Sequence, residues 1–415
     1  MSQLLVEYPL TGSHAWDNPL ARGADGVLRY GNLTPALTEL LDLQVHAFGN
    51  REAVVEIGGP RLTYRELWLC ASRIAGGLQE HGIGYGDRVA VHMPSGARWV
   101  QAFLGALLSG AVPVLVHDGL PEAVAERVIA DSRADFVLGP KGAELPDGAA
   151  YIDDGAALGD LALLSYTSGT CTPKGVELTN ENLLSAVRSV VAALDLPTDG
   201  LRNLVLLPLA HASGCVDQLL PTFAVGGTVV LTRDARGMAE AIAAERIDMV
   251  SATPRIFAGL LPELAELRAE GLCTEGIARI SKAGHRAERA ASPVAPVELA
   301  AELRGVFPAA RQWSVWGATE TSGIGLAVDD AEQADSSDAA AVLGFPFGGT
   351  ELALWGPRAT AGRGELLCRG PNVTPRYWND PTTTAARFTG TWFHTGDQVT
   401  IDADGLVRRG AVPVE

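Results

Sequence analysis

Residues 165–176 read SYTSGTCTPKGV, and the lysine in that run is one of only three in the chain, with Lys141 and Lys282, where arginine otherwise supplies the positive charge. Thr167, Ser168, Thr170 and Thr172 offer hydroxyls, Gly169 permits a tight turn of backbone N–H groups, and Lys174 adds one ammonium. Such a nest suits phosphate oxygens, and lysine gives a compact, mobile point charge where arginine would impose a rigid fork. The flanking runs LALLSY and GVEL are β-type, so no helix N-terminus directly follows the loop to supply a dipole. The G-x-x-x-x-G-K-[ST] spacing of a Walker A loop is not met. On composition alone, a solvated turn joining two strands fits these residues equally well.

Two later stretches carry complementary chemistry. VWGATETSG offers a flat indole at Trp316 for stacking and a hard carboxylate at Glu320 suited to magnesium. WFHTGD presents Asp397, whose two oxygens can accept a pair of hydroxyls. Each has a plainer reading: a strand end with a buried Trp and an exposed Glu, and an Asp that caps a turn. LPLAHASG places His211 after a strand, where a lone histidine is more often structural, with Asp217 six residues on.

The elements that would position these residues alternate between helix and strand. LTYRELWLCASRIAGGLQEHG is amphipathic with a stop at Gly82, followed by the strand-like DRVAVHM, the helical ARWVQAFLGALLSG, the buried strand AVPVLV, the helix PEAVAERVIADS and the strand DFVLG. The middle of the chain repeats the pattern: ENLLSAVRSVVAAL is a helix capped by Thr179 or Asn180, and NLVLLPL, GTVVLT and DMVSAT are strands. Such alternation predicts a parallel sheet with helices on its faces. Beyond about 340, TELALW, GELLCRG and QVTIDADGLVRR predict a smaller, mostly antiparallel unit.

At 415 residues, 47% hydrophobic and 20% charged, the chain reads as a soluble globular protein of two or three domains. Its net charge of −17 argues against nucleic acid or an anionic membrane as partner. Five scattered cysteines without metal-ligand spacing read as reduced thiols, and the N-terminus lacks the pattern of a signal peptide, so a cytoplasmic protein is expected. No apolar run is long enough to span a bilayer.

YTSGTCTPKG resembles the phosphate loop of the adenylate-forming superfamily, which includes acyl- and aryl-CoA ligases, acyl-AMP ligases, peptide-synthetase adenylation domains and luciferases. LTYRELWLCASRIAGGLQEHGIGYGDRVAV, LPLAHASG, VWGATETSG, GELLCRGPNVTPRYWND and WFHTGD are similar to its other signatures, in the family's order, from about 60 to 410. The resemblance implies an α/β large domain of two sheet-and-helix lobes (about 1–165 and 166–330, the second carrying the phosphate loop) and a β-rich subdomain (340–405). A hinge would start at 406–415, with the family's mobile C-terminal domain absent from these residues. It implies that a carboxylate attacks the α-phosphate of ATP, giving an acyl-adenylate and pyrophosphate, for transfer to CoA or a phosphopantetheine carrier such as an acyl carrier protein.

Carried over residue by residue, Lys174, Thr319 and Glu320 would be catalytic. Thr167, Ser168, Gly169, Thr170, Thr172, Lys174, Gly284, Trp316, Gly317, Thr319 and Asp397 would bind the nucleotide. Glu320 and Thr170 would serve Mg²⁺, with Trp316 on the adenine and Asp397 on the ribose. His211, Ser213, Trp313, Val315 and Gly323 would line the acid pocket. His211 is typical of acyl- and aryl-acid ligases, which favours an acid without an α-amino group. Asp217 offers the competing reading of an amino-acid-activating domain.

The chain departs from the family pattern in two places. The phosphate loop lacks one residue and one glycine between Thr170 and Pro173, and SKAGHRAERAASPVAPVEL is longer than the family's G-G-A-P-L stretch, which leaves the register of Lys282 open. The reading that follows is a monomeric or homodimeric enzyme that binds ATP and a small carboxylic acid, forms adenylate slowly and forms no thioester with these residues alone. A degenerate nucleotide-binding module stays open as an alternative.

Overall fold

The computed structural model describes residues 4–8, 20–139, 143–167, 172–232, 236–283, 296–333 and 342–410. Among them, one sheet has five strands, in the order Gly175–Thr179, Leu161–Tyr166, Val112–Val116, Arg88–His92, Phe136–Leu138. The inner pairings are parallel, and Gly175–Thr179 folds back antiparallel on Leu161–Tyr166 as an edge hairpin. Val112–Val116 is buried at every position, the continuous apolar run expected of a strand covered on both faces.

The helices start and stop where the sequence marks them. Thr63 caps Tyr64–Glu80 in a capping box with Glu66, and Gly82, at φ +77°, ends the segment. This helix packs on Ala97–Leu108, close enough that a Cβ at Gly105 would lie 2.5 Å from Ile74. Thr179 caps Asn180–Ala193, with Asn182 reaching back to complete the box.

The second sheet has 15 strands among the described residues, 14 of them along one path and Phe388–Thr389 pairing off it with Trp392–Ile401. Its first half runs Arg61–Thr63, Glu52–Glu56, Thr228–Leu231, Arg202–Val205, Met249–Ala252, Arg279–Ala283, Arg311–Trp316, parallel after the first hairpin. Leu326–Asp329 and Val342–Pro346 then pair antiparallel and carry the ladder into Val407–Arg409, Trp392–Ile401, Arg363–Arg369, Glu351–Gly356 and Leu4–Tyr8. The β-rich unit is thus the hydrogen-bonded continuation of the second sheet. Sheet membership also crosses a division near residue 165, since the hairpin 161–179 completes the first sheet and the strands at 52–63 join the second.

The change from parallel to antiparallel falls at the turn 317–325, between Trp316 and Leu326. A Cβ at Gly317 would lie 1.8 Å from the carbonyl oxygen of Gly323, itself at φ +97°, so both positions require glycine. Among the described residues no helix is long and apolar enough to cross a membrane.

Candidate active site

The phosphate-loop hairpin closes through a reciprocal pair: the Thr167 N–H donates to the Lys174 carbonyl and the Lys174 N–H to Thr167 Oγ1, each at 3.0 Å. Ser168, Gly169, Thr170 and Gly284 lie outside the described residues. The Lys174 ammonium stands over the ring of Tyr377, 5.7 Å from its centroid.

Glu320 and Thr319 lie on the 3₁₀ turn Thr319–Thr321 that opens the 317–325 connection. The Glu320 side chain is 9% exposed, and its Oε1 accepts a 2.6 Å hydrogen bond from the Tyr377 hydroxyl. Burial, with Glu320 alongside, pushes the Tyr377 phenol above its ordinary range, so it acts as a donor. One tyrosine therefore touches both of the charged groups that the sequence motifs single out.

Tyr377 belongs to a strap, residues 371–378, that joins the two sheets at the site. Toward the 317–325 turn, Asn372 Nδ2 donates to the carbonyls of Thr321 and Ile324, and the Thr374 N–H donates to the Glu320 carbonyl at 2.8 Å. Toward the phosphate-loop hairpin, the Trp378 N–H donates to the Gly175 carbonyl at 2.8 Å, and Arg376 pairs with the buried Glu177 at 2.8 Å. Burial raises the Glu177 carboxyl, while Arg376 lowers it. GPNVTPRYWND is visible in the sequence as a signature, but nothing in it says that its tyrosine bridges Lys174 and Glu320. The donor hydroxyl beside a conspicuous Asn and Thr is the only local signal.

Trp316 is 2% exposed and its indole N–H donates to Asp397 Oδ2 at 3.1 Å. The nucleotide-binding pair expected from separate motifs is thus in direct contact. With its ring this enclosed and Gly325 packed against it, Trp316 is a core residue as well as a candidate platform. His394, hydrogen-bonded to Glu365 and Thr389, is a packing residue.

The expected acid-pocket residues separate. Trp313 and Val315, each 3% exposed, point from one face of their strand into a cluster with Val190, Leu194, Leu201 and Phe347. That placement is core packing, a consequence of strand alternation. His211 caps a short helical turn with its ring edge-on to His117, centroids 4.8 Å apart, and Ser213 lies on the same turn, half-buried. Gly323 faces Asp217: a Cβ there would meet the carboxylate at 2.4 Å.

Asp217 is 1% exposed, on a π-helical turn Cys215–Leu219, and among the described residues neither of its oxygens has a hydrogen-bond partner. Its neighbour Gln218 shows the contrast, satisfied by Asn203 and Ser251. Complete burial holds the Asp217 carboxyl well above the usual carboxylate range. The wide π turn is what aims this residue inward, and sequence periodicity gives no warning of it. Lys282 is resolved too: from the middle of Arg279–Ala283 it forms a buried ion pair with Asp330, which also accepts from Ser314 Oγ.

Among the described residues no cluster of three or more His, Cys, Asp or Glu could hold a metal. A Glu320 carboxylate that shares Tyr377 with the Lys174 ammonium nevertheless fits magnesium, which keeps waters and phosphate oxygens as most of its ligands and takes one or two carboxylates from the protein. A cavity of about 620 Å³ is lined by His117, Asp118, Pro208, Arg255, Ile256 and Leu260 among others.

The feruloyl-CoA synthase of an Amycolatopsis species is 32% identical to this chain over 379 residues, covering 85% of the chain and 73% of that protein. Residues 41–155 and 147–378 match the AMP-binding enzyme family. The chain belongs to that family. As an AMP-binding enzyme it is an acid-activating ligase. O-succinylbenzoate coenzyme A synthetase from Bacillus subtilis, solved in complex with AMP, superposes with a TM-score of 0.76 at 25% identity, over 91% of this chain and 79% of that one. The N-terminal domain of FACL13 from Mycobacterium tuberculosis superposes with a TM-score of 0.77 at 24% identity, over 91% of this AMP-binding enzyme and the full length of that chain, which supports the α/β fold.

Proposed function

We propose that this AMP-binding enzyme activates an aryl or acyl carboxylic acid at the α-phosphate of ATP and passes the acyl group to a thiol, that of CoA or of a phosphopantetheine carrier. The observation that carries this reading is the convergence of Lys174, Glu320 and the Trp316–Asp397 pair, drawn from both sheets, around one turn. Attack by a carboxylate oxygen forms the C–O–P bond as the bond to pyrophosphate breaks. Magnesium supplies neutralisation of the outer phosphates when bound. Lys174 offsets charge growing on the phosphoryl oxygens, Glu320 would hold the cation, and Asp397 would fix the ribose hydroxyls. The cavity beside His117 and His211 is roomy enough for a thiol-bearing arm to approach. Pyrophosphate release should appear with some member of a panel of aryl and alkyl acids and fall about a hundredfold in Glu320→Gln, the scale of losing one electrostatic contributor. Full activity and unchanged magnesium dependence in that variant would refute the assignment.

A second reading rests on Asp217. A buried carboxyl with two orphaned oxygens against Gly323 is suited to a substrate amino group, which would favour an amino-acid substrate. The same panel decides: pyrophosphate release with amino acids alone, abolished in Asp217→Leu, selects this reading over the first.

A further inference from the structure

We propose that Tyr377 is the positioning residue that sets the geometry between Lys174 and Glu320. The terminal torsion of a glutamate is broad and roughly two-fold, so a lone Glu320 would sample many carboxylate orientations. The Tyr377 hydroxyl, 2.6 Å from Oε1, selects one of them and leaves Oε2 as the oxygen available to a hard cation. On its face, the ring receives the Lys174 ammonium at 5.7 Å, within the range of a cation–π contact. An aromatic face holds the ammonium without cancelling its charge, as a carboxylate would, so the lysine keeps donors for phosphate.

Tyr377 can do this because its own backbone is fixed. Its N–H donates to Thr384 Oγ1 at 3.1 Å, it bridges to Val176 in the hairpin, and Thr374 and Trp378 on either side are tied to Glu320 and Gly175. The residue is 2% exposed, while Lys174 over its ring is half-buried.

This inference rests on Glu320 as the magnesium ligand, and the test separates the two. ATP binding to the full chain is measured by calorimetry across a magnesium titration, without any acid, in wild type, Tyr377→Phe, Tyr377→Gln and Glu320→Gln. Phenylalanine keeps the ring and removes the hydroxyl, so the magnesium midpoint should rise several-fold while ATP affinity at saturating magnesium stays within about twofold. Glutamine keeps a donor and removes the ring, so the midpoint should stay near wild type while ATP affinity at saturating magnesium falls several-fold. A residue with only a packing role would lower thermal stability in both variants and move neither quantity selectively. If Glu320→Gln shifts the midpoint and neither tyrosine variant shows its predicted change, the proposal for Tyr377 is overturned. If Glu320→Gln leaves the midpoint where it was, the magnesium reading fails instead. Should one tyrosine variant not fold, the other still carries its own prediction.

Discussion

Replacing Asp217 by asparagine should flatten the pH dependence of folding stability. Burial raises the folded-state pKa of this carboxyl above its ordinary value of 3.8. Below that value the group is protonated both folded and unfolded, and it contributes no pH-dependent difference. Above it the unfolded chain releases a proton that the folded chain retains, so stability is lost as pH rises, until the raised value is passed. One such group costs about 1.4 kcal/mol per pH unit within that window. Asparagine fits the same space and does not titrate there. Urea unfolding of wild type and Asp217→Asn at about pH 5 and about pH 6 should therefore show the gap between them widening in favour of the variant at the higher pH, by at most about 1.4 kcal/mol, the full slope of one group. A ligand that brings an ammonium to the carboxylate would remove the slope, because it stabilises the charged form inside the protein. A gap that stays constant between the two pH values would show that Asp217 is charged and compensated in the folded chain, and would refute the argument.

Other changes test other parts of the structure. Lys282→Met should cost about 3–5 kcal/mol by leaving Asp330 buried and unpaired, and adding Asp330→Leu should recover most of it; a double variant as unstable as the single one would mean that the pair has a further partner. Trp316→Phe should cost about 1.5–3 kcal/mol, the scale of a hydrogen bond to a charged group, and an unchanged unfolding midpoint would show that Asp397 does not depend on the indole.

The segments that obey a simple period were legible in the sequence. Tyr64–Glu80 with its stop at Gly82, the Thr179 cap of Asn180–Ala193, the parallel strands at 202–205, 228–231 and 249–252, and the hairpin that brackets the phosphate loop all stand where alternation and capping residues put them. Lys174, Glu320, Trp316 and Asp397 could be named from motifs, because each carries chemistry in its residue type. What connects them could not be read, since Tyr377 and Asn372 act through partners about 50 to 200 residues away, and pairing at that range leaves no local pattern. Trp313 and Val315 are assigned to the acid pocket by their position in the resemblance, but strand alternation sends their side chains into the core. Asp217 faces inward because of a π turn, which shifts the helical period that sequence reasoning relies on.

The strap at 371–378 also has a consequence for how the enzyme comes into being. Its bonds to Glu177 close loops of nearly 200 residues, 197 for Thr374 and 199 for Arg376. Contacts that distant are made late, after local helices and hairpins. During synthesis the first sheet and the parallel half of the second can form while the strap is still inside the ribosome. Such an intermediate would have its phosphate-loop hairpin and its Glu320 turn, with nothing to hold one against the other. Nucleotide that binds only the joined arrangement stabilises the completed chain and leaves its precursors unaided.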